Sequence, residues 1–155
     1  MAEFLPQTRN AVRAVIVRGH SLLVQRKVYK SGEVRFTLPG GAPEVGETLE
    51  QGLRRECHEE IGVEIDVKQL MHVADYYKVR ESTPPSFRHQ IEFIFRCDVP
   101  GDYVATNGSK PDKHQQDVLW MDLESDNVEL LFPESLNRIL QNNFAESAVY
   151  LGLID

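Results

Sequence analysis

The chain has 155 residues, 26% of them charged and 41% apolar, with a net charge of −7. That length suits a single domain, residues 1–155, which can bury roughly two-thirds of its unfolded surface without a disulfide or metal staple. The acidic balance argues against a phosphate-reading surface built on bulk charge, so no nucleic-acid polymer is expected as a partner. Cys57 and Cys97 are too few for a disulfide framework, and no CxxC pair marks a zinc site. Met1–Asn10 lacks the apolar core of a leader peptide. No apolar run reaches the roughly 18–20 residues of a membrane helix, so no membrane partner is expected. Free thiols without a leader point to a cytoplasmic setting.

In chain order, Ala11–Arg18 alternates apolar and polar side chains and reads as a strand. Gly19-His20-Ser21 turns the chain, and Leu22–Lys27 returns it as the second arm of a hairpin. Arg35–Leu38 is a short strand, followed by the loop Pro39–Glu47 with three glycines and two prolines. Thr48 with Gln51 fits a capping box and Gly62 a stop signal, which predicts a helix over Leu49–Ile61. Val63–Val67, Leu70–Val79 and His89–Val99 read as strands, Gly101–Gln116 as a polar loop and Val118–Met121 as another strand. Glu134–Asn143 has helical spacing, with Leu136, Ile139 and Leu140 on one face, and Val149–Ile154 suits a terminal strand. Strands on both sides of a central helix, with hairpins among them, predict a mixed α/β sandwich.

A helix turns about 100° per residue, which places Leu53, Cys57 and Ile61 within about 120° of Leu49 as a core stripe. Glu56, Glu59 and Glu60 fall on one arc that touches this stripe. Like charges at this spacing repel, and the helix dipole disfavours them in the last turns. A divalent cation removes that penalty, and clustered carboxylates suit Mg²⁺ or Mn²⁺. Glu44 and Glu47 can approach the same ion, and Arg55 can orient a carboxylate. On the Glu-Glu pair alone, a plain acidic surface helix explains the pattern as well; the arc beside the core and the glycine-rich loop favour metal.

The stretch Gly41-(x5)-Glu47-(x7)-Arg55-Glu56-Cys57-His58-Glu59-Glu60-Ile61-Gly62-Val63 resembles the Nudix box, Gx5Ex7REUxEExGU, at every fixed position. Cys57 is a soft departure, a small apolar residue where an aliphatic one is usual. The resemblance implies an α+β fold, a Nudix-like α/β/α sandwich with a mixed β-sheet. It implies a pyrophosphatase that cuts the P–O–P bond of a nucleoside diphosphate linked to another moiety, with Mg²⁺ as cofactor and Mn²⁺ as a substitute. Carried over from the box, Glu56, Glu59 and Glu60 would ligate metal, Glu47 would support them directly or through Arg55, and Gly41 would let backbone approach the ion. Glu59 or Glu60 is the first choice of general base, with Asp112 and Asp117 as weaker ones.

The resemblance implies a small nucleotide as substrate, by family frequency ADP-ribose or another nucleotide sugar, and next a (deoxy)nucleoside triphosphate. Arg26 and Arg35, with Arg13 and Lys27, can bind phosphate, and Tyr77, Tyr76, Phe87 or Trp120 can stack a base; His89 and His114 can contact substrate. Exposed strand charges and core aromatics explain these residues equally well. The alternative reading is a nucleotide-binding module that does not cut, whose mark would be a missing box glutamate. None is missing. The resemblance also leans toward a homodimer.

Overall fold

The computed structural model describes residues 3–141 and 148–155. Its strands are β1 (Glu3–Phe4), β2 (Arg9–Val15), β3 (Val17–Arg18), β4 (Ser21–Val28), β5 (Val34–Thr37), β6 (Gly40–Gly41), β7 (Asp66–Arg80), β8 (Ser86–Asp98), β9 (Gln115–Asp122) and β10 (Tyr150–Ile154). The helices are α1 (Leu49–Ile61) and α2 (Ser135–Gln141), with a 3-10 turn at Asp126–Leu130.

The larger sheet is mixed, in the order β10-β7-β8-β2-β6, with β1 also beside β8. β8 runs parallel to β2 and antiparallel to β7. The smaller sheet is antiparallel around β4, which pairs with β3, β5 and β9. Period-2 burial along β2 explains the layering. Val12 and Ala14, with Ile16 beyond the strand end, pack against Leu53, Cys57 and Ile61 of α1. Val15 and Ile94 pack on the other side with Phe36 and with Leu136, Ile139 and Leu140 of α2. Helices therefore cover both faces of the sheet, as an α+β sandwich requires.

Helix α1 begins and ends where its caps place it. Thr48 Oγ1 accepts from Gln51 N at 3.1 Å, Gln51 Oε1 accepts from Thr48 N at 2.9 Å, and Gly62 adopts φ 68°. The strand expected over Ala11–Arg18 breaks at Ile16, where the chain crosses from one sheet to the other and Ile16 O accepts from Leu23 N. The two strands expected between Val63 and Val79 are one strand, β7, with bulges that absorb the polar interruption at Lys68 and Gln69. The expected final helix reaches Gln141 within the described residues, and Asn142 and Asn143 lie outside them.

Candidate active site

One guanidinium gathers three carboxylates, Glu47 before α1 and Glu56 and Glu59 on it. Arg55 grips Glu47 with a bidentate fork, Nε to Oε2 at 2.8 Å and Nη2 to Oε1 at 3.0 Å. Its Nη1 donates to Glu56 Oε1 at 3.1 Å and to Glu59 Oε2 at 3.4 Å. The repulsion expected among these groups is thus offset by a cation supplied from the same helix. The Arg55 contact holds Glu47 below the usual carboxylate range. Glu44 stands farther off, 3.9 Å from Arg55 Nε.

Glu60 faces inward and is only 2% exposed. Its Oε1 accepts from Gln25 Nε2 and from Gly40 N, both at 2.9 Å. Burial pushes its pKa up to about 7 against the pull of the Gly40 hydrogen bond. Glu56 is also raised, again chiefly by burial. Gly41 lies against it: a Cβ there would stand 2.6–2.8 Å from the Glu56 carboxylate atoms.

The loop after β8 closes the end of α1. Gly108 N and Gln115 Nε2 both donate to Glu60 O at 2.9 Å, Lys110 N to Glu59 O at 2.8 Å, and Tyr103 Oη to Ile61 O at 2.7 Å. The terminal carbonyls are therefore satisfied beside the acid cluster. A Cβ on Gly108 would sit 2.3 Å from Glu59 O, so the closure depends on glycine.

Among the described residues no three His, Cys, Asp or Glu side chains stand together as a metal cluster. Glu56 and Glu59 turn to Arg55, while Glu60 turns under Gly40. The donor chemistry nonetheless fits a hard divalent ion. Glu56 and Glu60 are carboxylates raised by burial, the charge state a cation relieves. Glu60 Oε2 has no hydrogen bond among the described residues. With no side chain on Gly41, the Glu56 carboxylate is left uncovered on that side.

A cleft of about 470 Å³ has Arg13, Lys27, Arg35, Tyr76, Lys78 and Asp112 in its lining, and Arg13 pairs in the sheet with Gly40, which holds Glu60. Arg13 pairs with Glu92 at 3.1 Å and Lys27 with Asp112 at 2.6 Å. Arg35 is gripped by Glu33, with its guanidinium 4.1 Å from the Phe132 ring centroid and 5.1 Å from that of Tyr29. Burial, then the charges of Arg13 and Lys27, push Lys78 down to about 8.

Of two neighbouring pairs named from sequence, the structure puts one member of each in the cleft. Tyr76 lines the cleft, whereas Tyr77 points to the opposite face, edge-on to Phe4 and His89. Lys27 lines it, whereas Arg26 reaches out to Asp117. Arg35, His114 and Asp112 are in the cleft. Phe87 packs on Phe4, His89 on Asp75, and Trp120 lies under Arg18. Gln25 and Glu92 are unforeseen; their sequence signal is a polar side chain in a buried strand, which needs a partner.

A family model for the NUDIX domain matches residues 7–140. The chain is 34% identical over 91 residues to an ADP-ribose pyrophosphatase of Methanocaldococcus jannaschii, covering 59% of this chain and 51% of that protein. It is 33% identical over 98 residues to the NAD-capped RNA hydrolase NudC of Pectobacterium atrosepticum, covering 63% of this chain and 34% of that one. It thus spans about half the length of the first and a third of the second. A NUDIX hydrolase from Nitrosomonas europaea superposes with a TM-score of 0.70 at 22% identity, over 96% of this chain and 80% of that one. A UDP-X diphosphatase superposes with a TM-score of 0.66 at 19% identity, over 96% and 68%. Those two likenesses establish the fold; the domain model covers most of the chain and includes the whole box, Gly41–Val63, and the protein belongs to the Nudix family.

Proposed function

We propose that this chain acts as a single-domain pyrophosphohydrolase, cutting the P–O–P bond of a nucleoside diphosphate linked to another moiety with Mg²⁺, or Mn²⁺ in its place. The observation that carries this reading is the Arg55 contact set, which gathers Glu47, Glu56 and Glu59 around one guanidinium. ADP-ribose or a similar nucleotide sugar is the first substrate to try, supported by the name of the Methanocaldococcus relative. A (deoxy)nucleoside triphosphate is the next.

Glu56, Glu59 and Glu60 would hold the metal, with Gly41 giving it room and Glu47 acting through Arg55. When bound, the ion would neutralise the diphosphate and acidify a water. Arg55 keeps Glu56 and Glu59 at a fixed spacing. Gln25 and Gly40 do the same for Glu60. Either Glu59 or Glu60 takes the proton from the attacking water. Arg13 and Lys27 offer positive charge to the diphosphate, and their partners Glu92 and Asp112 set how far they reach. Homodimer formation is part of this proposal and is supported by the exposed Tyr150 and Leu153 of edge strand β10.

The test is a panel of nucleotide sugars, dinucleotides and triphosphates with Mg²⁺, read by release of a nucleoside monophosphate. At least one is expected to turn over. E59Q and E60Q should each lower the rate by orders of magnitude with unchanged circular dichroism. No metal-dependent product from any member overturns the reading.

A further inference from the structure

The sheet face that floors the cleft carries more cations than its acids pair. Alternate strand residues share a face. Arg13 of β2, Glu92 of β8, and Lys78 and Arg80 of β7 line the cleft. Arg9 and Arg88 lie on the same face by the same alternation, four residues from Arg13 and Glu92 respectively. Across the ladder Lys78 stands opposite Arg88 and Arg9 opposite Gln90.

Three of the acids lining this cleft are already engaged. Glu92 holds Arg13, Asp112 holds Lys27 and Glu33 holds Arg35. Only Glu81 is left at the rim among the described acids. Lys78, Arg80, Arg88 and Arg9 make no salt bridge among the described residues, and Lys78 and Arg88 face each other across the ladder. Arg88 is lowered by burial and then by Arg80 and Arg9. Such crowding of one sign is unexpected in a protein of net charge −7.

The crowding has a direction. Arg13 pairs in the sheet with Gly40, whose N–H holds Glu60. Arg9 lies four residues farther along β2, about 13 Å away at the usual strand rise. The unpaired cations therefore lie beyond the place where a nucleoside would sit if its diphosphate met the α1 carboxylates. We propose that Lys78, Arg80, Arg88 and Arg9 bind a second phosphate, carried at the end of the substrate remote from the bond that is cut. The placement of the cut bond rests on the pyrophosphohydrolase reading; the excess of cations does not. Unpaired guanidinium groups bind phosphate by charge-assisted hydrogen bonds, and Arg80 and Arg88 have their forks free for it.

The experiment is calorimetry without metal, comparing AMP with adenosine 2′,5′-bisphosphate and adenosine 3′,5′-bisphosphate. One bisphosphate at least is expected to bind about tenfold tighter than AMP at low salt, with the advantage shrinking as salt rises. The R80Q/R88Q double variant should lose that advantage; Arg80 is exposed and Arg88 half-buried, and neither belongs to the apolar core. A 3′ preference points to the phosphodiester backbone of an oligonucleotide 5′ end, and a 2′ preference to a phosphorylated dinucleotide. Equal affinity for AMP and both bisphosphates, or an advantage that survives in R80Q/R88Q, overturns the proposal. A bisphosphate advantage in a protein that hydrolyses nothing in the substrate panel leaves this site standing and removes the hydrolase reading.

Discussion

Arg55 does what no lysine can do at that position. It forks onto Glu47 and still reaches Glu56 and Glu59, which uses the planar geometry of the guanidinium. R55K keeps the charge and should keep the fold, yet it frees two of the three carboxylates. Mn²⁺ affinity measured by titration should fall about ten- to a hundredfold, the usual cost of losing a ligand's support. An unchanged affinity would show that the glutamates are placed without it. The two glycines upstream separate folding from the site. A Cβ at Gly40 would stand 1.9 Å from Val12 O at φ 143°, so G40A should fail to fold. G41A should fold, because only the Glu56 carboxylate is in the way, and should lose Mn²⁺ affinity. Lys78 gives a pH signature. Its folded pKa of about 8 lies below the ordinary 10.5, so between those values the unfolded chain holds a proton that the folded chain has lost. Stability from this group therefore rises with pH across that window. Lys78 is exposed at the cleft, so solvent screens much of this effect, and any gap in melting temperature between K78M and the wild type should narrow as pH rises from about 8 toward 10.5. A gap independent of pH would mean that Lys78 titrates normally.

At the scale of elements, what can be read from sequence depends on whether the signal is local. Helix α1 is legible to the residue because Thr48, Gln51 and Gly62 act within a turn of its ends. T48A should cost about 1 kcal/mol, or a few degrees in melting temperature, by leaving Gln51 N without its acceptor. A full-length helix with an unshifted melting point would show that tertiary packing alone sets the start. The box residues are legible for the same reason, being confined to one loop and one helix. The cleft is not. Its lining comes from β2, β4, β5, β7 and β8, and the facing of each strand depends on pairing that the chain makes far away in sequence. Sequence offers Tyr76 beside Tyr77 and Lys27 beside Arg26 alike, and a shift of one residue in phase decides which of each pair faces the cleft. β6 is illegible for a different reason: two glycines carry no pattern, and they become a strand only because Val12 and Arg13 pair with them.

For the molecule as a whole, the site sets stability against function. Glu60 is buried with two neutral donors and no cation of its own. Its folded pKa of about 7 lies above the ordinary 4.5, so its contribution to stability is complete below 4.5 and lost as pH rises to about 7. At pH 8 the group is charged inside the protein and weakens the metal-free fold. A bound ion reverses this, because it binds the folded state alone and stabilises by the logarithm of its concentration over its dissociation constant, about 2.7 kcal/mol at a hundredfold excess. The wild type at pH 8 should therefore melt progressively higher as Mg²⁺ is added, and EDTA should return it to its starting point. E60Q keeps an oxygen for Gly40 N and Gln25 Nε2 but sheds the charge. It should melt above the metal-free wild type and gain little from Mg²⁺. If E60Q instead melts lower without metal, the Glu60 carboxylate is a structural anchor, and the ion is held by Glu56 and Glu59 without it.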